Sequence, residues 1–525
     1  MTCLAVDQGC KVDQCQQGWR QAEKASEQDN DVLATQVWKL VGDLSALQTF
    51  LSFFVRGSLC SHGNPSTRET KHKKKKHVVM REIVSLHLGQ AGCGIGAAFW
   101  DLLCRELSSS TGEEAINKEV FFRQGNDGTF LPRALFADPD PESLRKVASV
   151  RKWENQTFHS GREDAASNYV RGRFVVNMNV APSLGEALRL TLEQCDSPQG
   201  LFLTYSLAGG GGSSLAAMVS EGANALGGDI KDLLHKKTKV SVSLFPSPRF
   251  SSCIVEPYNT VWALSELEED TDLAIHVDNE SLHSLALGRG TTDPFFPDLN
   301  NLVAQTVASV TQGFRFYGSH DKQFTSCQRK FEEHRNQHSQ KQHKHHASHT
   351  NLDSLATALV PFASLRHVSA YQGWGEEGLQ GWSPMLEVNT LEGHSNSLST
   401  CVFYSGSLTS TDVQARVESL DKTLQLFSRT QISVHNIVEV AKEEPGCCWR
   451  PTKEALHQAD WRACKLSNES SFASNLGRVG VKFDEMFAKR AFVHWFVGIG
   501  IEDDTFSYVR NDVRAIEQSY LEADQ

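Results

Sequence analysis

No run of eighteen or more apolar residues occurs in these 525 residues; the best stretch, 33–60, is broken by Lys39, Asp43 and Arg56. That argues against a membrane-spanning helix, which needs about twenty. The amino terminus MTCLAVDQGC lacks the basic start and apolar core of a secretory signal. No C-x-x-C pair occurs among the 13 cysteines, an odd number, and adjacent Cys447 and Cys448 are poor zinc ligands and awkward disulfide partners. Reduced thiols in a cytosolic compartment fit this pattern. Surplus positive charge is missing too: 52 Lys and Arg against 63 Asp and Glu leave −11. Sequence-independent nucleic-acid binding is therefore disfavoured. Finally, no G-x-x-x-x-G-K-[ST] motif exists, which excludes a Walker-type NTPase.

What is present is the material of a folded protein. Apolar residues make up 40% and charged residues 22%, which excludes disordered, collagenous and disulfide-scaffold classes. The length fits two or three packed units of about 150 residues. Residues 1–79 differ from the rest and end in KHKKKKH, five lysines in seven residues. Such a run stays solvated, as a flexible linker or as an anionic-surface or nuclear-localisation patch. Ordered patterning begins at Met80, a candidate alternative start. From there, apolar runs at 83–88, 201–207, 239–245 and 273–277 read as buried strands. Helical stretches at 95–107, 184–195 and 215–226 alternate with them, and the run 174–179 leads into the second. Strand, loop, helix, strand is the pattern of an α/β fold with a parallel sheet. An insert at 320–350 carries seven of the 20 histidines without apolar periodicity, and reads as a surface loop rather than a metal site.

Two glycine loops carry the functional signal. Ala208 to Ser214 (AGGGGSS) lies between a buried strand and a helix. Four consecutive glycines cost backbone entropy. Close approach of backbone N–H groups to an anion at a helix N-terminus offsets that cost. Ser206, Ser213 and Ser214 add hydroxyl donors. The second loop, Gly89-Gln90-Ala91-Gly92-Cys93-Gly94-Ile95-Gly96, also joins a strand to a helix and contains a degenerate G-x-G-x-x-A fingerprint. A nicotinamide-dependent oxidoreductase is the competing reading. It lacks an acidic ribose anchor about twenty residues on and leaves the tetraglycine run unexplained. Two loops from separate βα units point to a nucleotide cradled at the carboxyl ends of several parallel strands.

At these residues the sequence resembles the tubulin family. MREIVSLHLGQAG at 80–92 is similar to a tubulin amino terminus, and GREDAASNY at 161–169, VEPYN at 255–259, VDNE at 277–280 and AKRAFVHWFV at 488–497 follow in family order. The DAASNY and AKRAFVHW blocks most resemble α-tubulin. The resemblance implies a parallel-sheet GTP-binding domain over 80–278 and a second α/β domain over 279–468 containing the insert. A C-terminal helical hairpin would follow over 469–525. It implies GTP and Mg2+ as ligands. Gly89, Gln90 and Ala91 would lie near the phosphates, Asp138 and Asp140 at the phosphate–metal region, and Asp140 at the metal. The loop Gly209, Gly210, Gly211, Gly212 and Ser213 corresponds to the family's GGGTGSG, with Ser206 just before it and Ser167 in an asparagine's place. Ser252 and Glu256 match positions near the ribose. Asn279 and Asn300 match the pair reading the guanine edge, and Phe296 the ring stacked on it. A β-tubulin-like subunit is the implied partner, with no specific nucleic acid and no membrane, in the cytoplasmic microtubule cytoskeleton.

Departures from the family are expectations of their own. Gly211 replaces a threonine hydroxyl, a loss of about 1 kcal/mol in phosphate contact. Within NLDSLATALVPF at 351–362, Ser354 occupies the place of the glutamate that activates water on a neighbouring subunit's GTP. A hydroxyl is a poor general base, and adjacent Asp353 points about 100° away on a helix. Weak or absent stimulation of hydrolysis is expected. A shortened lateral-loop region between Pro361 and Cys401 and the missing acidic tail imply altered assembly. A regulatory or capping protein outside the lattice, a centriole-type tubulin and a degenerate gene product are the remaining alternatives.

Overall fold

The computed structural model describes residues 81–109, 118–125, 128–149, 153, 157–251, 253–315, 351–374, 383–386, 397–406, 429–435 and 461–524. The N-terminal extension 1–79, Met80, Ser252, the insert 320–350 and much of the 361–401 region lie outside them.

Strand β1 (Ile83–Leu88) runs directly into helix α1 (Gly89–Ser109). The hairpin β2 (Phe122–Gln124) and β3 (Phe130–Pro132) precedes β4 (Ala134–Asp138), α2 (Pro141–Ala148) and β5 (Phe158–Ser160). Then follow α3 (Ala181–Glu193), β6 (Gly200–Ser206), α4 (Gly211–Glu221), β7 (Thr238–Leu244), α5 (Glu256–Leu267) and β8 (Leu273–Val277). Next come α6 (Asn279–Gly288), α7 (Phe296–Arg315), α8 (Leu352–Leu359), β9 (His367–Trp374), β10 (Ser383–Pro384), β11 (Ser397–Gly406), β12 (Arg429–His435) and β13 (Trp461–Glu469). Three helices close the chain: α9 (Phe472–Ala488), α10 (Val493–Val497) and α11 (Asp503–Glu522).

In the sheet, β5, β4, β1, β6, β7, β8 and β9 lie side by side and parallel. Antiparallel β13 and β11 extend it beyond β9. Both faces of the parallel part are covered, which is why its strands read as continuous apolar runs. Val84, Leu86 and Leu88 of β1, with Leu201, Leu203 and Tyr205 of β6, pack towards α3, α4, α5 and the closing helices. Ile83, Phe202, Val240 and Ile275 face the other way, against α1, α7 and α8. The closing helices are pinned by aromatic edges: Tyr258 meets Phe483, Phe496 and Phe506 at 5.1–5.4 Å, each near-perpendicular.

Two helices differ from their sequence reading. Helix α1 begins at Gly89 rather than Ile95, because the glycine loop is itself the first helical turn. Helix α4 stops at Glu221, where Gly222 takes φ +67° as a left-handed cap, and does not reach Leu226. Residues 172–176 form a π turn that leaves Phe174 exposed.

Candidate phosphate cradle and base pocket

The carboxyl ends of β1, β4 and β6 converge, and each delivers one wall of a site. From β1 comes the start of α1; from β6, the start of α4. Their glycines are in backbone contact: a Cβ on Gly212 would stand 2.6 Å from the Leu88 carbonyl oxygen, and one on Gly89 (φ +73°) 2.7 Å from the Gly212 Cα. A Cβ on Gly210 would meet the Asn168 backbone at 2.5 Å, and on Gly211 the Pro139 ring at 2.7 Å. Gly209 alone of the four faces open space. The entropy lost at these glycines is thus offset by a tight backbone crossing that leaves one open rim. No side chain caps α4, which leaves its first N–H groups, without intrahelical partners, available to an anion.

Asparagines hold the cradle together. Asn259 Nδ2 donates to the carbonyls of Ser167 (2.7 Å) and Ala208 (3.0 Å), and its Oδ1 accepts from the Tyr169 amide (2.9 Å). Asn177 Nδ2 donates to the Gly211 carbonyl and to Ser214 Oγ, both at 2.9 Å. Sequence reasoning quoted Asn259 within VEPYN but gave it no role, and missed Asn177. Ser213 Oγ–H donates to the Gly209 carbonyl (2.5 Å), so that hydroxyl braces the loop. Ser167 sits at φ +51°, exposed, with its carbonyl held by Asn259. Ser206 ends β6 half-buried.

Beneath α1 a polar chain sets the helix position. Trp100 Nε1–H donates to His87 Nε2 (2.9 Å), so the ring proton sits on Nδ1 and is donated to Thr204 Oγ1 (2.7 Å), whose hydrogen goes to the Gly92 carbonyl (3.0 Å). Burial drives the His87 pKa down to about 3, which keeps the ring neutral.

From β4 come the two carboxylates. Asp138 is buried; its Oδ1 accepts from the Asp140 amide (3.0 Å), and its Oδ2 has no partner among the described residues. Burial pushes its pKa up to about 7. Asp140 caps α2, accepting from the Glu142 amide (3.0 Å) and Ser143 Oγ (3.3 Å). Among the described residues no group of three or more His, Cys, Asp or Glu is placed to hold a metal. A magnesium ion carried on phosphates needs fewer, since it uses one or two carboxylates plus phosphate oxygens and water. The orphaned Asp138 oxygen and the Asp140 carboxylate fit that requirement.

The base end is built by α1, α6 and α7. Asn279 opens α6, whose start is capped by Asp278 through the Ser281 amide (2.8 Å). Asn300 lies on α7 against Gly94 of α1. Phe296, at the first position of α7, is 70% exposed. Glu256 opens α5, buried, and accepts from Ser251 Oγ (2.9 Å). The loop between β7 and α5 is tied over this end: the Arg249 amide and side chain both bind Glu280 (3.2 and 2.6 Å). Gln90 is exposed at the cradle rim and Ala91 half-buried behind it.

Ser354 lies elsewhere. The Leu352 amide donates to Gln199 Oε1 (3.0 Å), and the Gln199 amide to the Glu82 carbonyl (2.8 Å). The start of α8 therefore abuts the amino ends of β1 and β6, the opposite end of the strands from the cradle. Six residues of β1 separate the two, about 20 Å. The Ser354 amide and Oγ–H are both bound by Asn351 (2.7 and 2.8 Å), and Asp353 is exposed.

Known proteins share this sequence pattern. A family model described as the Tubulin/FtsZ family, GTPase domain, matches residues 82–286, the whole cradle and Asn279. The tubulin alpha-3 chain of Saccharomyces cerevisiae is 32% identical over 464 residues, covering 84% of this chain and 98% of that one. The chain belongs to the tubulin family. The S. cerevisiae tubulin alpha-1 chain is 33% identical over 493 residues (84% and 97% covered), and the Schizosaccharomyces pombe tubulin alpha-1 chain 30% over 489 (85% and 97%). It is a divergent, α-tubulin-like member, and a GTP-binding fold, as the sequence led us to expect. No helix among the described residues is long and apolar enough to cross a membrane.

Proposed function

We propose that this chain is a GTP-binding structural subunit of microtubules that pairs longitudinally with a β-tubulin-like partner. The reading rests above all on the placement of the cradle and the α8 start at opposite ends of the same parallel strands. A group on α8 then reaches only a nucleotide held by the next subunit, and head-to-tail contact of this kind propagates into a filament. Exposed rings at both ends supply apolar contact: Phe362 beyond α8, and Phe250 and Phe295 at the cradle end. In this reading residues 80–278 form the GTP-binding domain, 279–468 the intermediate domain and 469–525 the outer helices. The α1 and α4 amides, with Gln90, Ser206 and the four loop glycines, hold the phosphates. Asp138 and Asp140 hold Mg2+, which neutralises phosphate charge when bound. Glu256 would serve the ribose, as would Ser252 by its matching position, and Asn279, Asn300 and Phe296 would take guanine. Ser354 offers no general base, so the partner's GTP turns over slowly beside this chain.

Two measurements test the proposal. Protein purified with Mg2+ should release GTP or GDP on denaturation, identified by mass. It should also co-sediment along the length of microtubules in stoichiometric amounts. Empty protein, or NAD in the extract, overturns the nucleotide assignment. Nucleotide-loaded protein confined to filament ends or the supernatant favours the second reading, a regulatory or capping tubulin outside the lattice, for which the Ser354 replacement is the specific observation.

A further inference from the structure

Where β7, β8 and β9 meet the closing helices, a chain of polar side chains runs through the core. Ser243 of β7 stands opposite His276 of β8, and His367 of β9 follows on the same face. All three are buried. One carboxylate fixes every proton in the chain. Glu268, just past α5 and paired with Arg366 (3.3 Å), accepts from His367 Nε2–H (3.1 Å). His367 Nδ1 then accepts from His276 Nε2–H (2.8 Å), and His276 Nδ1 accepts from Ser243 Oγ–H (2.8 Å). Each ring keeps one proton, and no nitrogen is spare. The same residues hold the closing helices. Phe472, the first residue of α9, stacks on both rings, with centroids 5.1 Å from His276 and 4.9 Å from His367. Tyr520, in the last turn of α11, accepts from the His367 amide (2.8 Å) and donates to its carbonyl (3.0 Å).

We propose that this chain is an acid-sensitive latch: with one proton on each histidine it holds the start of α9 and the end of α11 on the sheet, and a further proton releases them. The closed seam has no seat for that proton. On His367 Nδ1 it would set two N–H groups face to face across 2.8 Å. On His276 Nδ1 it would turn the Ser243 hydroxyl away and leave a charge enclosed by Phe245 and Phe472. Burial accordingly holds His276 well below its usual value, and neighbouring His367 adds to this. The charged groups facing the rings are Glu268 and Arg366, 18% and 14% exposed, at the solvent end. From the other elements come only Ser243, Phe245, Phe472 and Tyr520. An opened seam frees the rings to titrate near pH 6.5, the ordinary value for histidine. One such ring raises the opened population about tenfold between pH 7.5 and 5.5.

Amide hydrogen exchange of the full chain, corrected for the intrinsic pH dependence of exchange, reads the latch at the His367 amide and over 472–476 and 516–522. Wild-type protection there should fall at least about tenfold between pH 7.5 and 5.5. In His276→Gln a carboxamide can flip to present an acceptor, so a protonated His367 is seated between it and Glu268. The slope should then shrink to less than about twofold. The double variant His276→Gln/His367→Gln has nothing left to titrate and should be equally flat. His87→Gln, which removes the other depressed histidine, should leave the slope in place. A flat wild-type profile overturns the latch, as does a slope that persists in either His276→Gln background. A slope that disappears with His87 alone also overturns it, because the helices would then be exposed only by global unfolding.

Discussion

The two ends of the parallel sheet have diverged from the family's chemistry in different ways. At the carboxyl end the site is made of backbone. Glycines 89, 210, 211 and 212 are each enclosed within 3 Å of where a Cβ would go, and Asn177 and Asn259 hold the loop carbonyls from helical segments far away in sequence. Losing one threonine hydroxyl at position 211 leaves that architecture standing. At the amino end the proposed role rests on one side chain at the start of α8. There Ser354 binds its own helix cap and presents no base. Backbone sites tolerate sequence drift that side-chain sites do not, so on the proposed reading binding would outlast catalysis.

The comparison breaks most severely at Gly212. A methyl group there meets backbone on two sides, Leu88 O at 2.6 Å and Gly89 Cα at 2.9 Å, with no flexible neighbour to yield. Gly212→Ala should lower stability by about 2 kcal/mol through overpacking and weaken GTP binding by at least about 100-fold, because the N–H groups at both helix starts shift together. A fluorescent-nucleotide titration with a melting curve reads both. Full binding in this variant would show that the glycine crossing is not what grips the phosphates.

Ser354→Glu sharpens the other half. Restoring a carboxylate should raise hydrolysis by a β-tubulin-like partner about 100-fold, within the usual range for a positioned general base. Phosphate release from the mixed assembly measures it. Wild-type chain that already supports the full rate, or a variant that adds nothing, would dissolve the contrast between the two ends.

The buried polar chain beneath α1 predicts a pH effect. His87 is depressed from 6.5 to about 3. As pH falls below 6.5 the unfolded chain takes up a proton that the folded ring refuses. The stability contributed is complete above about pH 6.5 and declines towards pH 3, by about 1.4 kcal/mol per unit. Asp138, raised from 3.8 to about 7, slopes the other way: the folded state keeps the proton that the unfolded state loses. His87→Gln isolates the histidine. Relative to wild type, the variant should gain about 2 kcal/mol between pH 6.5 and about pH 5, read from denaturant midpoints. Parallel pH profiles would refute a neutral His87.

Much of this was legible in the sequence, and the limits are physical. Strands β1, β6, β7 and β8 announced themselves because a parallel strand covered on both faces is apolar along its whole length. The glycine loops stood out because nothing else tolerates them. Helix starts were misjudged: Gly89 to Gly94 reads as a loop by propensity, yet forms the first turns of α1, since close backbone contacts outweigh intrinsic preference. Asn177 and Asn259 were hidden for another reason. A side chain bracing a carbonyl 34 or 92 residues away leaves no period and no local motif.

Arg249 and Glu280 belong to the same hidden class, and they give the smallest expected effect. Their ion pair ties the loop after β7 to the first turn of α6, next to Asn279, from both the Arg249 amide and its side chain. Lys482 of α9 steadies the loop from behind through the Pro248 carbonyl (3.2 Å). Because the guanidinium is 77% exposed on its side-chain surface, the pair contributes about 0.5 kcal/mol and is screened by salt. Arg249→Ala should therefore speed nucleotide release by only about twofold to threefold at low ionic strength. Near 1 M salt, where the Debye length is about 3 Å, the difference should vanish. A stopped-flow chase of bound fluorescent GDP at both salt concentrations decides it. A change larger than tenfold, or one that salt leaves untouched, would mean that this loop grips the nucleotide through its backbone rather than through the ion pair.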